Sequence, residues 1–144
     1  MIINIINKNL ISSNEFLLSI PLKSVSSRAR TKLCNALDSC IKEFVQSELD
    51  LAKEFSHTNE NGNFLIDGED GLVPCFDGRI KLKHETAREF QKQREIFLNE
   101  QNEVSMLDSH VESLLSALND LDMDLQGEDA VTYDYICEVL ESAV

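Results

Sequence analysis

Apolar positions repeat at helical spacing over most of this chain. From Arg28 to about Ser56 no Gly or Pro intervenes. Leu33, Leu37, Cys40, Ile41, Phe44, Leu51 and Phe55 recur there at alternating steps of three and four, broken only near Ser47 and Glu48. The pattern predicts one apolar stripe along about eight helical turns, roughly 40 Å. A stripe that long needs a partner of similar length, either the other helices of this chain or a second copy. Ser24, Ser26 and Ser27 supply hydroxyls to cap its start. Ahead of it, Ser12-Ser13-Asn14-Glu15 matches a capping box for a short helix over Phe16–Ile20, which Pro21 ends. Further helices are predicted from Glu85 to about Asn99, with Ala87, Phe90 and Phe97 on one side, and after a cap at Asp108 and Ser109, with Val111, Leu114, Leu115, Leu118 and Leu121 inward. Gly127 closes the next turn. The last helix runs from about Asp129 to Ser142 with Tyr133, Ile136, Cys137 and Leu140 inward.

Two stretches break the helical period. The turn dipeptides Asn61-Gly62, Asp67-Gly68 and Asp77-Gly78 alternate with Phe64–Ile66, Leu72-Val73 and Ile80–Leu82. They predict a hairpin or three-stranded meander with Pro74 at an edge or bulge. The opening eight residues read as a short strand or an extended arm, and Glu103–Leu107 as a short strand. The resulting expectation is an α+β fold, a mostly helical single domain over 1–144, with one long spine helix and a small β-hairpin inserted at about 63–83.

Charge adds a functional clue. Up to Arg94 there are 13 Lys/Arg and 13 Asp/Glu, whereas from Glu95 to Val144 there are 13 Asp/Glu and no Lys or Arg. The net charge of −13 therefore belongs to the last third. Such a field repels nucleic acid and anionic membranes and draws basic partners to one face. The Asn-interrupted start lacks the basic head of a signal peptide, and no run of 18 apolar residues occurs, so a cytoplasmic protein is expected. The four cysteines include no C-x-x-C pair and read as buried reduced thiols.

No catalytic signature is present: no nucleophile elbow, no Walker loop, no dinucleotide fingerprint and no paired histidines. Asp120-x-Asp122-x-Asp124 opens like a calcium loop, but Leu125 and Val131 stand where that loop needs Gly and Glu. No metal or other cofactor is expected. Arg28 and Arg30, at the start of the long helix, can bind an anion weakly, or pair with Asp134, Glu138 or Glu141 of the last helix. The basic run Arg79, Lys81, Lys83, Arg88, Lys92 and Arg94 reads as a face that offsets the acidic segment rather than a nucleic-acid site.

Leu22-Lys23, then Ser27-Arg28-Ala29-Arg30 opening a long charged helix, an Asn-Gly loop, and Gly127-x-x-Ala130-x-x-Tyr133-Asp134-x-x-Cys137-Glu138 occur in that order. The chain resembles, from about Leu22 to Glu141, a family of small proteins from phages and prophages of Gram-positive bacteria known only as a domain of unknown function. Ser24 and Val25 stand where a Gly is expected near Lys23. The resemblance implies a viral accessory or assembly protein in the cytoplasm of a bacterial host. With the charge pattern, it leads to a non-enzymatic inhibitor that binds a basic host protein, most concretely an anti-CRISPR-like block of a defence nuclease by acidic mimicry of nucleic acid. The partner-binding residues would be Asp108, Glu112, Asp120, Asp122, Asp124, Glu128 and Asp129. The alternatives are a virion component that self-associates, for instance as a homodimer, through the long helix, and capture of a small phosphorylated ligand by the basic clusters.

Overall fold

The computed structural model describes residues 1–55, 72–75, 80–83 and 87–144, with the strands 72–75 and 80–83 and Ala87 described by backbone alone. The elements are β1 (Ile2–Ile6), a 3-10 turn (Asn7–Asn9), α1 (Leu10–Ser19), α2 (Ser24–Phe55), β2 (Leu72–Cys75), β3 (Ile80–Lys83), α3 (Ala87–Leu98), β4 (Gln101–Ser105), α4 (Asp108–Asn119) and α5 (Glu128–Ala143). This is the mostly helical α+β class that the periodicity predicts, with the long helix in place. Residues cluster into two compact units, Met1–Lys42 with Glu100–Val144, and Glu43–Asn99.

In the first unit β1 pairs antiparallel with β4, Ile2 opposite Ser105 and Ile6 opposite Gln101. Period-two alternation turns Ile3, Ile5 and Val104 into the core and leaves Ile2, Asn4, Glu103 and Ser105 exposed. α5 packs against β1, α1 and α4. Leu10, Leu17, Leu33, Leu37, Leu114, Leu118 and Leu140 are fully buried, each stabilising by about 1.5–3 kcal/mol through burial alone. Two polar ties join the sheet to its surroundings. The Asn102 side chain donates to Ile5 O (3.1 Å) and Asn7 Oδ1 (2.8 Å), and Ile6 N–H donates to the Tyr135 hydroxyl (3.0 Å).

α1 starts at Leu10, ahead of the predicted capping box. Asn9 stands at its N-cap and makes no side-chain cap bond. Leu10 and Ser13 both lie on the buried side, so burying Leu10 lengthens the helix and places Ser13 in its interior. At the other end Ile20 is extended (ψ 142), as a residue before proline must be. α2 likewise starts at Ser24, so the predicted capping serines lie inside its first turn.

The predicted pairing of Arg28 and Arg30 with Asp134, Glu138 or Glu141 does not form. Arg30 donates from Nη1 to Leu17 O (3.2 Å) and Ile20 O, and from Nη2 to Ser27 Oγ (3.2 Å). The last carbonyls of a helix lack intrahelical partners, and its C-terminus carries partial negative charge. α1 has no basic residue in its own last turn, and Arg30 answers that need from the next helix. Arg28 points to solvent.

In the second unit the end of α2 and α3 run antiparallel. Phe44 stacks on Phe97 (centroids 5.4 Å apart), Arg94 meets Glu48 (3.5 Å), and Phe55 tilts against Phe90 (5.8 Å). The break in the apolar stripe at Glu48 thus has a cause: its carboxylate turns inward to meet a cation from α3. β2 pairs antiparallel with β3, Leu72 opposite Lys83 and Cys75 opposite Ile80, inside the segment where a hairpin was expected. The expected turns at Asn61-Gly62, Asp67-Gly68 and Asp77-Gly78, the apolar run Phe64–Ile66, and Arg79 lie outside the described residues.

Arg30→Ala is expected to cost about 2 kcal/mol, because it strips charge-assisted hydrogen bonds from partly buried carbonyls, whereas Arg28→Ala should stay within about 0.5 kcal/mol. Urea unfolding of the two variants checks this; equal losses would contradict it.

Candidate partner-binding surface

The acidic residues owe their placement to simple periodicities. On α4, Asp108, Glu112 and Ser116 recur every four residues on the face opposite the buried Val111, Leu114 and Leu118. Asp120 follows just beyond the helix. From Asp120 to Leu125 acidic and apolar residues alternate: Asp120, Asp122 and Asp124 are exposed, while Leu121 and Leu125 are half-buried. Met123 breaks the apolar set and remains 43% exposed. Gly127 then takes a left-handed φ of 60° and turns the chain into α5, whose first two residues are Glu128 and Asp129. Carboxylates at that end complement the helix dipole.

Every one of the thirteen carboxylates from Glu95 to Glu141 is exposed. Among the described residues, none of them forms an ion pair with a lysine or arginine. Asp108 alone has a cationic partner, the Met1 ammonium at 2.8 Å. The other pairs, Lys42 with Asp38 (3.1 Å) and Arg94 with Glu48, involve earlier acids. The first unit holds six lysines and arginines against fourteen acids, a net of −8. Among the described residues no three His, Cys, Asp or Glu side chains gather as a metal cluster would. No described helix is long and apolar enough to cross a membrane.

The connection between α4 and α5 is held at both ends. The Tyr133 hydroxyl donates to Leu118 O at 2.7 Å, and the Tyr133 ring meets Phe16 edge-on at 6.1 Å. Leu22, Lys23 and Ser26 face Ser116, Ala117, Asp120 and Met123 across a cleft of about 490 Å³. The lining of that cleft includes Lys23 as well as Asp120 and Asp122, and among the described residues no ion pair forms between them.

Arg28 and Arg30 do not converge. They sit two residues apart on one helix, Arg30 is committed to the end of α1, and only Arg28 is left outward. A two-guanidinium anion cradle is therefore not assembled. Tyr135 and Asn102 are structural contacts that sequence reasoning missed. Neither carries a periodic signal, since each acts through one polar atom on a long-range partner.

The thiols behave as small apolar groups. Burial pushes Cys34 from its ordinary value of 9.0 to about 11, against the pull of the nearby Arg30. Cys137 is also raised, chiefly by burial, with the Tyr133 hydroxyl opposing and Glu141 and Asp134 adding to the rise.

In comparisons with protein-family models, curated proteins and solved structures, nothing matches this chain.

A thiol whose folded pKa lies above its unfolded value keeps the native state fully protonated at neutral pH. Its contribution is whole below about pH 9 and is lost as pH rises toward 11. Cys34 in the native protein is accordingly expected to resist alkylation at pH 8, and wild type is expected to lose stability between pH 9 and 11 more steeply than Cys34→Ala. Rapid native-state labelling of Cys34 would contradict this.

Proposed function

We propose that this chain is a non-enzymatic phage accessory protein that captures a basic, nucleic-acid-binding surface of a host protein, most concretely that of a defence nuclease complex, and blocks access to it. The observation that carries the reading is the set of thirteen exposed carboxylates that no lysine or arginine of the described residues neutralises. Binding of a basic groove supplies the missing counter-charge and displaces its usual phosphate ligand. Asp108, Glu112, Asp120, Asp122, Asp124, Glu128 and Asp129 are the residues assigned to it. The viral context rests on the resemblance of the two ends of the chain alone.

Magnitudes shape the mimicry. Carboxylates four residues apart on a helix rise about 6 Å per step, whereas each DNA strand carries one phosphate per about 3.4 Å of axis. The α4 row alone is therefore too sparse. The loop aspartates and the start of α5 supply the further charges that a convincing duplicate requires.

A second reading, self-association through α2 as a virion component, draws on Val45 at 53% exposure beside the half-buried Ile41 and Phe44.

Reversing Asp120, Asp122, Glu128 and Asp129 to lysine is the decisive variant. Capture of a host protein from lysate should fall at least about tenfold, the captured protein should be released by competing duplex DNA, and the salt slope of binding should flatten. Capture unchanged by the four reversals removes the mimicry. A wild-type chain that sediments as a stable dimer, with capture unaffected, favours the assembly reading.

A further inference from the structure

The β1–β4 pair has two edges, and hydrogen-bond parity tells which backbone groups line them. Asn7 N–H donates to Glu100 O (3.0 Å) and Met106 N–H to Met1 O (3.0 Å). In the register that sets Ile3 opposite Val104 and Ile5 opposite Asn102, the hydrogen-bonded pairs join odd-numbered residues of β1 to even-numbered residues of β4. The N–H and C=O of Ile2, Asn4 and Ile6 therefore point away from β4, and those of Gln101, Glu103 and Ser105 point away from β1. At the outer edge of β1 the Ile6 N–H donates to the Tyr135 hydroxyl, and α5 places Glu138, Val139 and Ser142 beside Ile2 and Asn4. At the outer edge of β4, among the described residues, the outward backbone groups of Gln101, Glu103 and Ser105 have no hydrogen-bond partner, and all three residues are exposed.

We propose that the outer edge of β4 is a docking edge for one added strand: an extended segment of a partner protein with a basic residue opposite Glu103. Three residues each offer one N–H and one C=O along a strand of about 17 Å, the hydrogen-bonding template used in strand addition. Glu103 sits at the centre of this edge and selects the occupant. A second copy paired antiparallel over the full strand would set Glu103 directly against Glu103, and each chain carries −13, so self-pairing is disfavoured twice. A lysine or arginine at the same place turns that repulsion into an attractive cross-strand pair. This inference rests on backbone parity and on Glu103, which belongs to the thirteen exposed carboxylates but not to the seven residues assigned to the acidic face.

The probe is a pentapeptide, Thr-Val-Lys-Val-Thr, blocked at both ends and titrated into the full chain while amide chemical shifts and hydrogen exchange are followed by NMR. Shifts and slowed exchange are expected at the amides of Gln101, Glu103 and Ser105. Replacing the central lysine of the peptide by glutamate should weaken binding about tenfold. Glu103→Pro and Ser105→Pro each delete an outward N–H without touching the ladder to β1. Both should abolish the response while protection at Ile3 and Ile5 persists, and Ser105→Pro does so with Glu103 intact. No change at the three amides at millimolar peptide, or binding that survives both proline variants, overturns the proposal. Protection of the same amides without peptide, with a mass that doubles with concentration, would also overturn it by making the occupant a second copy.

Discussion

Pairing of the first strand with residues 101–105 is the constraint on which the first unit rests. It joins segments with more than ninety residues between them, yet the entropy of closing so long a loop grows only with the logarithm of its length. Burial of Ile3, Ile5 and Val104, at about 1.5–3 kcal/mol for each large side chain, is of the size needed to offset it. The pairing also decides the electrostatics. Residues 1–42 hold six cations and two acids, residues 100–144 hold twelve acids and no lysine or arginine, and the ladder makes them one unit.

Joining the two segments does not cancel their charge locally. Arg30 is drawn to the end of α1, Lys42 pairs with its helical neighbour Asp38, and Arg28 faces water. Each has a short-range reason to be where it is, and none of those reasons involves α4 or α5. The carboxylates there are held outward by the same periodicity that turns Val111, Leu114, Leu118, Ile136 and Leu140 inward. An acidic surface results directly from amphipathic patterning. Its cost is self-repulsion within a unit of net −8, which a basic partner would relieve.

The helices and their inward residues were legible because a 3.6-residue period survives over many turns in α2, α4 and α5. Element starts were less so. The Ser12–Glu15 capping box is a local signal, and burial of Leu10, a tertiary demand, overrode it. Both strands of the larger sheet could be suspected from Ile-rich and Val104-containing runs, but their pairing could not, since nothing local in either points to a partner about a hundred residues away. The role of Arg30 was misread for a related reason. Charge pattern suggests carboxylates as partners, while the end of α1 offers unpaired carbonyls that sequence does not display. The exposure of the acidic residues was legible one by one, because alternation in Asp120–Leu125 and four-residue spacing on α4 fix it directly.

The central claim is that the late carboxylates are unneutralised surface charges rather than members of internal ion pairs. The free energy of unfolding measured at about 10 mM and about 150 mM sodium chloride tests it without a partner, because the screening length falls from about 30 Å to about 8 Å over that range. Uncompensated repulsion predicts that added salt stabilises the native state. A clear loss of stability with salt would mean that attractive pairs dominate the surface, and would contradict the account.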